Sequence, residues 1–192
     1  MKTTNLLAIL GLATLILAAG CQQATDTKKD TAPDIKTAPA ATQTKWNNFS
    51  AAMNAGTVAM SAGTPMASTY LTTNTSTNVS TINYPTDANG MAVTGTLTPG
   101  TTSTALTMTI TITNATDATS GTKVSGSMNV SQTTDNKTHA GTSTLTANFT
   151  ATFPDNTQST VAMNSVQTTD AAGQTTVYGT VTIDGVTYSL SK

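Results

Sequence analysis

From residue 78 onward, apolar and polar side chains alternate in short runs. Thr104–Thr113 is the cleanest case: Leu106, Met108, Ile110 and Ile112 fall on one side, and Thr107, Thr109, Thr111 and Thr113 on the other. A period of two is that of an antiparallel strand buried on one face only. The same alternation runs through Met91–Thr98, Val124–Gln132, Gly141–Phe153, Ser159–Ser165, Val177–Ile183 and Val186–Leu190. Asn78–Tyr84 supplies a further strand, and Ser68–Thr73 is a candidate edge strand. Val166 breaks parity with Val161 and Met163, which predicts a bulge near Asn164–Ser165.

Aspartates punctuate the runs. Asp87, Asp117, Asp135, Asp155, Asp170 and Asp184 each lie between two alternating segments, beside turn formers such as Asn89-Gly90, Ser120-Gly121 and Gly185. Aspartate favours turns because its carboxylate accepts hydrogen bonds from nearby backbone. Asp184-Gly185 between Ile183 and Val186 is a two-residue hairpin signal of type I′. With Pro99-Gly100 there are seven turns. They predict about eight strands joined as successive hairpins, an antiparallel up-and-down meander.

Gly95, Gly126 and Gly179 share parity with the apolar face. Glycine at such positions marks a bend or a close approach, so the meander is expected to curl, as an open or closed barrel. One helix precedes it. Over Thr44–Ser61, Trp46, Phe49, Met53, Gly56 and Met60 recur at three- and four-residue spacing and form one stripe, ended by Gly63-Thr64-Pro65. The fold class is therefore mainly β, a curled meander packed on one N-terminal helix. Core or cavity lining is assigned to Trp46, Phe49, Met53, Met60, Met108, Ile110, Met128, Phe149, Met163 and Tyr188.

The chain begins differently. Lys2 and a short polar stretch precede an apolar run, Leu6–Ala19, which leads into Gly20-Cys21. The run is shorter than the roughly 20 residues of a membrane-spanning helix, and it fits the roughly 7–15 residue core of a signal peptide. The segment Leu17-Ala18-Ala19-Gly20-Cys21 resembles the lipobox of bacterial lipoproteins, with Ala18 where leucine is usual. The resemblance implies cleavage after residue 20, lipidation of Cys21 and anchoring in the cell envelope. With Gln22 rather than aspartate after the cysteine, the resemblance further implies the outer membrane. Residues 21–41 read as the lipidated cysteine and a polar tether with prolines at 33 and 39, and 42–192 as a single domain.

Composition narrows the chemistry. Net charge is −1, only 9% of residues are charged, and neither arginine nor glutamate occurs. Without a basic patch, nucleic acid is not an expected partner. His139 is the sole histidine and Cys21 the sole thiol, so no catalytic or zinc set can readily be gathered. No cofactor is called for and no enzyme is expected. Asp87-Ala88-Asn89-Gly90 lacks the further acidic ligands of a calcium loop and reads as a turn.

Two functional expectations follow. The inferred architecture looks like that of periplasmic lipoprotein carriers and of mycobacterial lipid-transfer lipoproteins, a likeness of fold alone. It implies a non-enzymatic binding or carrier module for an apolar ligand or lipid, with membrane lipid held through Cys21. The alternative is a cell-surface structural or adhesion protein presenting its threonine-rich β-face, with ice binding a remote variant. Threonine makes up a quarter of the chain, and its β propensity accounts for much of that face without a ligand.

Overall fold

The computed structural model describes residues 32–63, 70–86 and 90–190, with side chains for all of these except 53–63 and 71. Cys21 and the apolar run before it lie outside the described residues, as do Asp87, Ala88 and Asn89.

Nine antiparallel strands form one sheet in sequential order: β1 Leu71–Asn74, β2 Val79–Tyr84, β3 Met91–Pro99, β4 Ser103–Thr116, β5 Lys123–Asp135, β6 Gly141–Thr152, β7 Gln158–Thr169, β8 Thr175–Ile183 and β9 Val186–Ser189. The meander is as expected. It is open: β1 and β9 do not pair with each other. The ninth strand comes from the edge candidate. Its turn to β2 carries neither aspartate nor a Pro-Gly pair. Asn74 takes that role, its Oδ1 accepting from the Ser76 and Thr77 amides at 2.9 and 3.3 Å, and Asn78 adopts φ 56°. At the other end of the sheet, Asp184 (φ 51°) and Gly185 (φ 83°) both have the positive φ of a type I′ turn.

The helix α1 spans Ala40–Gly63, longer than the predicted stripe at both ends. It starts at Pro39, whose carbonyl accepts from the Thr42 and Gln43 amides. The segment before it also departs from expectation. The sequence assigned residues up to 41 to the tether, but a 3-10 turn, Ile35–Thr37, is capped by Asp34 and buries Ile35 at 4% exposure, with Ala38 buried beside it. The Ser189 amide donates to the Pro33 carbonyl at 2.8 Å, and Asp34 forms a parallel bridge to Ser189. One large aliphatic side chain and a free strand edge suffice to draw this polar stretch into the domain.

The described helix meets the sheet through Trp46, Phe49 and Ala52, all buried. Phe49 is fully buried, with its ring centroid 5.6 Å from that of Trp46 and 5.6 Å from that of Phe149 on β6. A flat sheet of nine strands would be about 38 Å wide, against a helix of about 10 Å. Yet inward residues from Ile82 on β2 to Tyr188 on β9 are buried. The sheet therefore wraps around the helix. Glycine permits this where strands approach closely: a Cβ on Gly126 would lie 2.2 Å from the Asn148 carbonyl oxygen and 2.6 Å from the Phe149 ring.

The bulge lies elsewhere than predicted. β6 and β7 pair without interruption from Gly141↔Thr169 to Thr152↔Gln158, and β7 pairs evenly with β8. Val166 simply faces outward, while Ser165 and Gln167 point inward and are buried. The register shifts in β4, between Ile112 and Ala115 opposite β5. There Asn114 adopts φ 57°, and its amide donates to Ser125 Oγ at 2.9 Å.

Candidate binding site on the inner face

Register organises the inner face into rows that cross the sheet. One row runs Ile110–Met128–Ala147–Met163–Val181–Tyr188, bringing together four of the side chains assigned from sequence to the core, Ile110, Met128, Met163 and Tyr188. Phe149 stands in the neighbouring row, between Gly126 and Val161, and Met108 in the row on the other side, beside Val130. Trp46 and Phe49 face them from α1. All eight are buried, at 0–8% exposure. Met53 and Met60 lie among the helix residues whose side chains are not described. Met91, Met108, Met128 and Met163 are all buried. The interior is thus rich in an unbranched, polarizable side chain that readjusts to irregular shapes.

Toward one end of the sheet the inward positions change character. The row Leu106–Gln132–Ser143–Gln167 crosses β4 to β7, and Ser165 stands opposite Leu145 in the next row. Ser143 and Gln167 are direct cross-strand partners, so their Cβ atoms are about 5 Å apart. Ser165 is two residues from Gln167 on the same strand and face. Exposure is 2% for Ser143, 1% for Ser165 and 1% for Gln167. Ser143 Oγ, Ser165 Oγ, and both Nε2 and Oε1 of Gln167 are buried and have no hydrogen-bond partner among the described residues. Gln132 is better placed, its Nε2 donating to Thr134 Oγ1 at 3.1 Å.

An unsatisfied buried polar atom costs about 1–3 kcal/mol. Four together weigh heavily against a domain stability of about 5–15 kcal/mol. Valine or leucine at these positions would carry no such cost. A signal for these residues is nonetheless present along the chain. On β5, β6 and β7 the inward positions turn polar at the same end, at Gln132, Ser143 and Gln167. The parity break at Val166 is not a bulge: the strand runs straight and its inward residues become hydrophilic.

The other candidates resolve into structure. His139 sits exposed in the β5–β6 turn with φ 61°, its amide donating to the Asp135 carbonyl. The turn aspartates cap backbone. Asp135 Oδ1 accepts from the Lys137 and Thr138 amides and from Thr138 Oγ1. The Thr138 and Lys137 bonds hold its carboxyl below the usual range. Asp117 is lowered by Ser120 and Thr119, and Asp155 by Thr157. Asp184 differs, since it ties α1 to the sheet: Lys45 Nζ lies 2.8 Å from its Oδ2, Ser159 Oγ donates to the same oxygen and the Thr160 amide to Oδ1. Among the described residues no group of three or more His, Cys, Asp or Glu could hold a metal ion, and no described helix is long and apolar enough to cross a membrane.

The outer face is a hydroxyl array with cross-strand bonds, Thr96 to Thr107 at 2.8 Å, Thr109 to Asn129 at 2.8 Å and Thr182 to Thr187 at 2.9 Å. Two shallow depressions lie along it. One, of about 290 Å³, is lined by residues including Thr94, Thr107, Asn129 and Thr146. The other, of about 640 Å³, lies by the β5–β6 and β7–β8 turns among Thr133, Thr142, Thr168, Asp135 and Asp170. No family model, curated protein or solved structure matches this chain.

Proposed function

We propose that this protein is a lipid-anchored, extracytoplasmic binding module that carries a ligand with an apolar chain between α1 and the inner face of the sheet, and that it is not an enzyme. The observation that carries this reading is an open sheet wrapped on a single helix over a methionine-lined interior. A closed barrel has no seam, whereas β1 and β9 do not pair with each other, and the carrier reading takes the ligand in between them. The described core side chains are packed, so a ligand enters by displacing α1 side chains or methionines rather than by filling preformed space. Cys21 supplies the anchor, and the residues between it and Pro33 form the tether.

Protein purified from its native membrane, extracted with organic solvent and analysed by mass spectrometry, tests both parts. The expected results are a diacylglyceryl mass on the N-terminal peptide beginning at Cys21 and a stoichiometric acyl-chain compound released from the domain. An unmodified Cys21 peptide would remove the anchor; an extract holding only bulk phospholipid would remove the carrier role. The 640 Å³ depression on the threonine face supports a second reading. In it, the outer face docks a hydroxylated surface and the protein serves adhesion. Cells displaying the chain would then lose attachment when Thr142 and Thr168 are changed to lysine, with the interior untouched.

A further inference from the structure

We propose that Gln167, Ser143 and Ser165 form the head-group end of this interior site, and that its ligand is an amphiphile whose uncharged head both donates and accepts hydrogen bonds. A carboxamide or a hydroxylated ester such as a monoacylglycerol has this chemistry. The inference rests on the carrier reading above and specifies its ligand class. Three features lead to it. The unpartnered atoms are one amide N–H₂, one amide carbonyl and two hydroxyls on adjacent strands, a set that needs both donors and acceptors opposite it. They adjoin apolar surface: Leu145 is the cross-strand partner of Ser165, and Val130 and Met108 continue that row, so an attached chain meets hydrocarbon at once.

The third feature is charge. Among the described residues, the inward positions of β4 to β7 in these rows carry no ionisable side chain. In the turns at this end, the Asp135 and Asp170 carboxylates already accept backbone amides, and Lys137 is exposed to solvent. An anionic head would be buried here without a counter-ion, which is strongly unfavourable. A neutral head with a donor and an acceptor satisfies the cluster with no such penalty.

The single tryptophan reports binding from inside the core. In the full chain carrying Cys21→Ser, Trp46 emission is titrated with one dibrominated C18 chain presented as amide, monoacylglycerol, carboxylate at pH 8, and methyl-terminated hydrocarbon. Bromine quenches on contact. The expected result is saturable quenching at least about tenfold tighter for the amide and monoacylglycerol than for the carboxylate or the headless chain, with the preference reduced to twofold or less in Gln167→Leu. Saturable quenching that ignores the head leaves the carrier reading intact and overturns this inference. No saturable quenching by any probe overturns the carrier reading itself. The unliganded Gln167→Leu protein should melt no lower than wild type, because an apolar group of similar size replaces unsatisfied atoms. A lower midpoint would mean that ordered water already satisfies Gln167 as part of the fold, and the inference would fall.

Discussion

Gly126→Ala tests whether close strand approach at an inward glycine is what lets the sheet wrap its helix. The added Cβ would lie 2.2 Å from the Asn148 carbonyl oxygen and 2.7 Å from Phe149 Cα, both backbone atoms of β6. Carbon atoms pack best about 3.5–4.0 Å apart, so β6 must retreat by roughly 1 Å from β5 at the pair Gly126↔Phe149. Phe149 makes a tilted ring contact with Phe49, and the retreat loosens the junction of helix and sheet. Overpacking of this kind costs about 1–3 kcal/mol. Gly126 also has φ 150°, a conformation that costs an L-residue about 1–3 kcal/mol. The expected destabilisation is about 3–5 kcal/mol, a fall in thermal midpoint of about 6–20 °C for a domain of this size. Urea unfolding followed by Trp46 emission measures it. Gly173→Ala is the control, for its Cβ meets nothing within 4 Å and only the positive φ of 80° is strained, at a cost of about 1 kcal/mol. If the two variants unfold within 0.5 kcal/mol of each other, close approach at Gly126 does not hold the sheet in its shape.

Phe49→Ala removes the ring between Trp46 and Phe149 and should cost about 3–5 kcal/mol with a red shift of Trp46 emission, whereas Val186→Ala, at a position 52% exposed, should stay within about 0.5 kcal/mol; equal effects would mean that α1 is not docked through Phe49. Ile35→Ala should cost about 2–4 kcal/mol in the same assay, because residue 35 belongs to the core; an unchanged midpoint would return this segment to the tether. Asp184→Asn concerns pH. Burial raises the Asp184 carboxyl, but Lys45, Ser159 and Thr160 outweigh it and bring the pKa below the ordinary 3.8. A folded pKa below the unfolded one contributes stability that is complete above the unfolded value and is lost as pH falls through the folded value. The variant should therefore lose stability less steeply than wild type below about pH 4, and at pH 7 it should be weaker by about 0.5–1 kcal/mol, the worth of an exposed ion pair; parallel acid limbs would show that the pair does not couple α1 to the sheet.

Much of the architecture was legible because each strand carries its own evidence. Leu106 to Ile112 alternate with threonines whatever the neighbours are, and a period of two has one structural solution when one face must be dry. Aspartate and glycine mark turns through their own backbone chemistry, which is why Asp184-Gly185 gave its turn type correctly. The polar end of the inner face was harder to see. Ser143, Ser165 and Gln167 are ordinary residues along the chain, and only register makes them neighbours: Ser143 meets Gln167 across twenty-three residues of sequence because β6 and β7 pair without a bulge. Parity failed at Val166 because a single strand does not say whether a polar inward residue marks a slip in register or a true change of surface. The bulge that does exist, at Asn114, leaves no mark in the parity of its own strand's core residues before Ile112.

The sequence by itself determined a meander of alternating strands, one preceding helix and the hydrophobic side of each, since these follow from local periodicity and turn chemistry. Tertiary structure alone decided that the sheet stays open and that Ile35 and Ala38 join the core. It also decided that four polar atoms with no partner among the described residues gather on the inner wall. Those outcomes depend on which strands become neighbours and on what the wrapped sheet buries, and pairing across the fold sets both, not the preference of any one segment.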